Sequence, residues 1–180
     1  MTRKVMFVDI DLCYGCFTCE VACKQEHDLP VGLRRIGVQR IGPRRIDGKM
    51  QMLFYPVFCR HCIKPPCIEA CPEKAIIQRA DGIVLGLKDR CIGCLKCMEI
   101  CPLGAIECSP DTGVIEKCDL CHERIDRGEV PACARHCPTG ALQFGSPNEL
   151  LKEKRARFIT EVGMGPDFSA VRMKSESSYE

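Results

Sequence analysis

Sixteen of the seventeen cysteines in this chain fall into four groups of four, and their spacing is the strongest constraint on the fold. Each group opens with a C-x2-C pair and closes with a C-x3-C pair. The groups are Cys13, Cys16, Cys19 and Cys23; Cys59, Cys62, Cys67 and Cys71; Cys91, Cys94, Cys97 and Cys101; and Cys118, Cys121, Cys133 and Cys137. In such runs three thiolates bind one iron-sulfur cubane, while the fourth cysteine ligates a neighbouring cluster. The spacing therefore predicts iron-sulfur clusters held by paired groups.

Zinc sites and disulfide bonds are the alternative roles for so many cysteines. C-x2-C pairs also bind zinc tetrahedrally, but zinc does not require three close cysteines and a separate fourth in four successive groups. An odd number of cysteines and a reducing compartment argue against disulfides. Ligation by cysteine alone at all sixteen positions favours ordinary [4Fe-4S] clusters.

The composition agrees with a fold organised by metal rather than by bulky apolar side chains. Only 6% of the 180 residues are aromatic, and tryptophan is absent. The formal net charge is +2 with neutral thiols. Each oxidised [4Fe-4S] cluster with four thiolates contributes about −2, so four clusters would give about −6. A basic surface for nucleic acid is therefore not expected, and no helix-turn-helix signal is visible.

The N-terminal sequence carries no recognisable export signal. The apolar run Val5–Val8 is short and is closed by Asp9 and Asp11, unlike a secretory signal peptide. No stretch approaches the roughly 20 apolar residues that span a bilayer. A glycine-rich phosphate loop and a nucleophile free of cluster ligation are also missing from the sequence. We therefore predict a soluble cytoplasmic protein that is not itself catalytic.

A sequence repeat follows three of the cysteine groups. Its members are Cys71-Pro72 before Ala75-Ile76, Cys101-Pro102 before Ala105-Ile106, and Cys137-Pro138 before Ala141-Leu142. Turn signals at Asp81-Gly82 and at residues 111–113 precede new apolar strands. Each unit predicts a cluster loop, a short helix and a β-hairpin. The predicted fold class is therefore α+β, with two bacterial-ferredoxin-like dicluster modules.

The repeat also divides the chain into segments. They are an outer module at 1–23 plus 109–145, an inserted strand-rich segment at 24–58, an inner module at 59–108, and a C-terminal helix and tail at 146–180. The inserted segment either covers the modules or forms a docking surface for a catalytic subunit. Ser146 and Pro147 begin a helix predicted to reach about Phe158. The polar sequence after it predicts a loose tail, which either frays or wraps a partner.

The four-group pattern resembles the four-cluster electron-transfer subunits of molybdenum and tungsten oxidoreductases. The resemblance covers residues 4 to about 145 and includes the stretch Cys118-Asp-Leu-Cys121-His-Glu-Arg and the wide gap before Cys133. Small cytoplasmic versions accompany tungsten aldehyde oxidoreductases and tungsten benzoyl-CoA reductases, and the short chain favours this kind. Larger versions serve the dimethyl sulfoxide reductase superfamily.

The resemblance implies both partners and ligand sets. The partners are a larger tungsten- or molybdenum-pterin catalytic subunit and a ferredoxin or further redox subunit. The implied cofactors are four [4Fe-4S] clusters. Under the ferredoxin crossing rule, the ligand sets are Cys13, Cys16, Cys19 and Cys137; Cys118, Cys121, Cys133 and Cys23; Cys59, Cys62, Cys67 and Cys101; and Cys91, Cys94, Cys97 and Cys71.

Other residues near the groups carry smaller expectations. Three histidines are loop residues that could donate to a cluster sulfur, namely His61, His122 and His136. His27 lies outside the cluster loops and carries no prediction. Cys108 is expected to be a buried small apolar residue. Lys24 replaces the proline that follows the other groups, so a helix is expected to continue through a solvated Lys24.

Two other functions fit the cysteine pattern. A free-standing polyferredoxin would carry electrons between enzymes by diffusion, although segment 24–58 and the tail exceed what a minimal carrier needs. An iron-sulfur or zinc regulatory protein would bind nucleic acid or sense oxygen, but no basic stripe supports it.

Overall fold

The computed structural model describes residues 3–163 as short helices and two-stranded sheets. The strands are β1 (Val5–Val8), β2 (Ile36–Ile46), β3 (Lys49–Phe58), β4 (Ile76–Gln78), β5 (Val84–Gly86), β6 (Ile106–Cys108), β7 (Ile115–Lys117) and β8 (Leu142–Gly145). The helices are α1 (Thr18–Glu26), α2 (Pro66–Glu69), α3 (Lys96–Ile100), α4 (His122–Asp126), α5 (Ala132–Arg135) and α6 (Pro147–Gly163). This arrangement confirms the predicted α+β class. Within the described range, no helix is long and apolar enough to cross a bilayer.

The inner half of the molecule contains the two predicted hairpins. β4 pairs antiparallel with β5 from Ile76 opposite Gly86. β6 pairs with β7 in the same way, from Ile106 opposite Lys117. Helices α2 and α3, which lie within the cysteine groups, pack against each other. The inner half therefore repeats one unit twice, as the Cys-Pro repeat predicts.

The outer half joins the two ends of the described chain. β1 pairs antiparallel with β8, with Val5 opposite Gly145 and Val8 opposite Leu142. Helix α1 packs against α5, which brings the first cysteine group beside the fourth. Helix α1 runs through Lys24 to Glu26, so the predicted continuation of this helix is confirmed.

The inserted segment forms one long hairpin, as its turn and strand pattern predicts. β2 pairs with β3, and the register shifts between Ile41 and Arg44. Residues 39–53 are exposed without exception, and we call them the arm. The base of the hairpin is buried through Ile36, Val38 and Phe58 in the main core. An exposed two-stranded hairpin gains little stability by itself, so the base anchors the arm.

Helix α6 begins as predicted and ends later than predicted. Ser146 and Glu149 form a reciprocal cap, since Ser146 N–H donates to Glu149 Oε2 at 3.2 Å and Glu149 N–H donates to Ser146 Oγ at 3.4 Å. The helix reaches Gly163 rather than Phe158, because no residue between these positions interrupts it. The tail predicted beyond Gly163 lies outside the described residues.

Apolar packing is thin and is shared with the cysteines. One core cluster contains Ile36, Phe58 and Leu120 together with three buried cysteines, Cys19, Cys23 and Cys133. A second core cluster contains Ile76 and Val84 with Cys67 and Cys97. Because buried thiols belong to both clusters, the apolar core and the predicted metal sites share the same residues.

Candidate iron-sulfur sites

Three cavities are each lined by four cysteines from two different groups. In each cavity, three cysteines come from one group and the fourth closes another group. The cysteines are Cys13, Cys16, Cys19 and Cys137 in the first cavity, Cys59, Cys62, Cys67 and Cys101 in the second, and Cys91, Cys94, Cys97 and Cys71 in the third. The structure thus brings together the side chains that the crossing rule assigns to three clusters.

The other four cysteines of the four groups, Cys23, Cys118, Cys121 and Cys133, lie near one another on the outer half. Burial raises the pKa of the Cys133 thiol, and the nearby Cys118, Cys121 and Cys23 thiols raise it further. Cys23 and Cys133 belong to the main core cluster, and Cys118 packs against that cluster. This fourth constellation is the most deeply buried of the four.

Left-handed backbone shapes the cysteine loops. Gly15 and Gly93 are each the third residue of a C-x-G-C pair, with φ of 73° and 69°. A Cβ atom at Gly15 would lie 2.2 Å from the Phe54 ring, and one at Gly93 would lie 2.5 Å from the Gly113 carbonyl oxygen. Only glycine fits both conformation and space at these positions. Tight turns of this kind bring neighbouring thiols into one cavity.

Backbone N–H groups point at several sulfurs. Ala75 N–H donates to Cys71 Sγ at 3.2 Å. His61 N–H donates to Cys59 Sγ and Leu120 N–H to Cys118 Sγ, both at 3.4 Å. Such donors stabilise negative charge on a ligating thiolate.

Burial opposes thiolate formation at the buried cysteines. It raises the pKa of Cys19 and Cys23 to about 12, and that of Cys67 and Cys121 to about 11. These thiols are neutral without a counter-charge. A cationic iron-sulfur core supplies that charge and displaces the protons, so the donor set fits such a cluster.

One buried histidine supports this fit. Burial, followed by the Lys117 ammonium, lowers the pKa of His61 to about 3, so the ring is neutral. His61 Nδ1 accepts the Val84 N–H at 2.9 Å, which places the ring hydrogen on Nε2. Within the described residues Nε2 is buried and has no hydrogen-bond partner. A buried N–H without an acceptor is unfavourable, and sulfur of a cluster at the adjacent Cys59 and Cys62 would accept it.

Comparison with known proteins places the chain in a family. Residues 50–147 match the profile of the 4Fe-4S dicluster domain. This chain belongs to the 4Fe-4S dicluster family. The electron transfer subunit of thiosulfate reductase from Salmonella typhi is 41% identical over 149 residues, which are 82% of this chain and 78% of that protein. The B subunit of the anaerobic dimethyl sulfoxide reductase of Escherichia coli K12 is 38% identical over 159 residues, which are 84% of this chain and 78% of that protein.

A more distant likeness comes from a solved structure, the active-site complex of benzoyl coenzyme A reductase with benzoyl-CoA. The aligned region covers 93% of this chain and 94% of that chain, with 24% identity and a TM-score of 0.42. The sequence relatives confirm the predicted resemblance to iron-sulfur subunits of reductases, and the family membership confirms the [4Fe-4S] type of cofactor.

Two side chains in this dicluster protein differ from the sequence expectations. Lys24 is not simply solvated, because its Nζ donates to the carbonyl oxygens of Pro30 and Leu33, both at 2.7 Å. The turn after α1 brings these carbonyls within reach. Cys108 is only half-buried and belongs to neither core cluster that contains cysteine ligands, because it ends an edge strand.

His27, which carries no prediction from the sequence, also makes a specific contact. His27 Nε2 lies 3.3 Å from Cys121 Sγ and 3.4 Å from Asp119 Oδ1. His122, one of the three histidines predicted beside the clusters, places Nδ1 3.6 Å from Asp119 Oδ2 instead. Only the four-residue offset between Cys23 and His27 could have indicated this contact from sequence, since it places both on one helical face.

Proposed function

We propose that this chain is a non-catalytic electron-transfer subunit that carries single electrons through four [4Fe-4S] clusters. The electrons pass between a tungsten- or molybdenum-pterin catalytic subunit and a redox partner such as ferredoxin or a further redox subunit. The observation that carries the proposal is the composition of the three cavities, each of which combines three cysteines of one group with the closing cysteine of another. A zinc site would not need this exchange.

The exchange of ligands also explains how electrons would move. Each cysteine group contributes to two clusters, so the two clusters of a pair share the same short segments of chain. Helices α2 and α3 pack together in one pair and α1 and α5 in the other. A [4Fe-4S] cluster accepts one electron with its potential set by burial and by hydrogen bonds to sulfur. Two such pairs in contact would form a path through the protein.

The relatives support the class of function. One is named as the electron transfer subunit of a thiosulfate reductase, and another is the B subunit of a dimethyl sulfoxide reductase. By the resemblance to small tungsten-enzyme subunits, we place this chain with a tungsten or molybdenum enzyme of the aldehyde oxidoreductase or benzoyl-CoA reductase kind. We place it in the cytoplasm, where reducing conditions keep thiols available to iron.

The arm is the proposed contact with the catalytic subunit. It exposes large apolar side chains, among them Met50, Met52 and Ile46. Arg44, Arg45 and Lys49 add positive charge beside them. Clustered exposed apolar residues mark interaction sites in soluble proteins, and the basic residues suit an acidic rim on the partner.

Anaerobic affinity purification from the source cells tests the proposed function. Iron, tungsten, molybdenum and zinc are quantified in the same fraction as the co-eluting chains. We expect about sixteen irons per chain, four per cubane, and a large chain at fixed ratio with tungsten or molybdenum. A lone chain with about sixteen irons would indicate the free-standing polyferredoxin, and zinc in place of iron would refute cluster binding.

Charge reversal tests the arm separately. The double variant Arg44→Glu, Arg45→Glu should lose the large chain during purification while retaining its iron. The matched control reverses two exposed basic residues of α6, Lys152→Glu and Arg155→Glu, and should retain the large chain. Equal loss of the partner from both variants would show that the arm is not the specific contact.

A further inference from the structure

An imidazole from outside the cysteine loops reaches one of the proposed cluster ligands. His27 and Cys121 are 94 residues apart in sequence, yet Nε2 of His27 lies 3.3 Å from Cys121 Sγ. The His27 side chain is only 15% exposed. A role for this contact rests on the proposed function, because Cys121 acts as a ligand only when a cluster is bound.

Helix α1 explains how His27 arrives at this position. Cys23 and His27 are four residues apart at its C-terminal end, which places them on the same face. The backbone N–H of His27 donates to the Cys23 carbonyl oxygen at 3.2 Å and completes the last helical turn. Cys23 and Cys121 belong to the same proposed ligand set. One face of α1 therefore supplies this set with both a ligand and a hydrogen-bonding ring.

Asp119 is the second neighbour of the same ring nitrogen. Its Oδ1 lies 3.4 Å from His27 Nε2 and accepts the Cys121 N–H at 2.9 Å. Arg35 Nη1 donates to Asp119 Oδ2 at 2.9 Å. The Arg35 guanidinium and the Cys121 N–H can only donate, so both oxygens of Asp119 accept hydrogen bonds, as those of a carboxylate do.

The two acceptors decide which ring nitrogen carries hydrogen. A carboxylate and a ligating thiolate accept hydrogen bonds and cannot donate them. His27 Nε2 faces both groups, so the hydrogen lies on Nε2 and is directed at Cys121 Sγ, with Asp119 Oδ1 close beside it. The orientation of the bond is therefore from His27 to sulfur.

We propose that His27 is a positioning residue that donates this hydrogen bond to Cys121 Sγ and thereby raises the reduction potential of one cluster, the one held by Cys23, Cys118, Cys121 and Cys133. Reduction adds one electron, delivered by the redox partner, and increases negative charge on the sulfurs. A donor to sulfur therefore stabilises the reduced state more than the oxidised state. Asp119 acts in the opposite direction, because its carboxylate repels the added charge and competes for the same N–H.

Redox titration of the holo-protein, monitored by electron paramagnetic resonance, tests this role. His27→Leu removes the donor while keeping an apolar side chain in the site. We expect one of the four midpoint potentials to fall, with a change on the order of tenfold in its reduction equilibrium, about 59 mV for one electron. His27→Gln keeps an N–H donor and should fall less. Asp119→Asn should raise the same midpoint.

An exposed histidine provides the matched control. His136 precedes the proposed ligand Cys137 but is exposed, and within the described residues its side chain makes no hydrogen bond to sulfur and no ion pair. His136→Leu should therefore leave all four midpoints in place. The opposite shifts of the His27 and Asp119 variants distinguish tuning from a general loss of packing, which would not produce two signs.

Several results would overturn the inference. Four unchanged midpoints in His27→Leu, or equal shifts of all four, would refute it. So would one zinc ion per chain that disappears with His27→Leu, because the ligand atoms of His27, Asp119 and Cys121 lie within 4.8 Å of one another. Should His27→Leu not fold, His27→Gln and Asp119→Asn must still shift one midpoint in opposite directions. Wild-type protein without clusters would instead refute the proposed function.

Discussion

Two of the proposed cluster sites are each assigned four cysteine ligands but have different surroundings. The deep site comprises Cys23, Cys118, Cys121 and Cys133, three of which are buried. The surface site comprises Cys71, Cys91, Cys94 and Cys97, of which only Cys97 is buried and Cys94 is exposed. The nine-residue helix α1 covers the deep site, whereas the five-residue helix α3 contributes to the surface site. Spacing predicts the ligands, and the rest of the fold decides how each proposed site is shielded.

Two arginines show the same contrast. Arg35 is 9% exposed, and its guanidinium donates to Glu116 at 2.9 Å and to Asp119 at 2.9 Å beside the deep site. Arg79 is 28% exposed and pairs with Asp126 at 2.6 Å and Asp81 at 3.0 Å near the surface. The first network is enclosed by protein and the second is open to solvent. Their contributions to stability should therefore differ.

Removal of iron should have the largest effect on the folded structure, and the two sites should lose their iron at different rates. Because the core clusters are thin and contain the ligands, complete chelation under reducing conditions should abolish most of the native circular dichroism. Iron should leave the surface site before the deep site, giving at least two phases of release. Native helix and strand content in the iron-free protein would contradict this expectation.

Replacement of one ligand at each site should sharpen the comparison. Cys94→Ser should leave a folded protein with about four irons fewer per chain, since solvent can hydrate the exposed hydroxyl. Cys133→Ser buries a hydroxyl at the centre of the core and should yield little soluble protein. Iron content and yield are measured together for both variants. Equal outcomes would mean that burial does not determine tolerance.

Substitution of Arg35 and Arg79 should change the stability of the holo-protein by different but smaller amounts. Arg35→Met leaves the part-buried Asp119 without its arginine and the buried Glu116 with only Lys88 as a cation, and should destabilise the holo-protein by about 3 kcal/mol. Arg79→Met removes a solvent-screened network and should cost at most about 1 kcal/mol. Anaerobic thermal unfolding of the two variants measures both effects. Similar melting temperatures for the two variants would show that the Arg35 network is also well solvated.

Substitution of Cys108 should have the smallest effect on iron content and stability. Its thiol is half-buried and donates only to the Ser109 carbonyl oxygen, at 3.6 Å. Cys108→Ser should leave iron content unchanged and alter stability by no more than about 0.5 kcal/mol. Loss of iron from this variant would identify Cys108 as a ligand and would require a different ligand assignment.

Much of the local structure could be predicted from sequence. The Cys-Pro repeat with its turn residues predicted the β4–β5 and β6–β7 hairpins, and Lys24 in place of proline predicted the longer helix α1. These features depend on neighbouring residues, whose conformational preferences act over a few positions. The end of α6 was placed five residues early because helix ends depend weakly on sequence when no strong stop signal is present.

The environment of each site required the tertiary structure. The cysteine spacing was enough to predict four metal-binding groups and to suggest, as a hypothesis, that the groups exchange ligands, because loop geometry limits which thiols can share a cluster. Nothing in the sequence near Cys121 indicated His27 or Arg35, which come from positions more than 80 residues away. Only the pairing of β1 with β8 and the packing of α1 on α5 bring these segments together. Burial and charge at a metal site are sums over such distant neighbours, so the fold decides them.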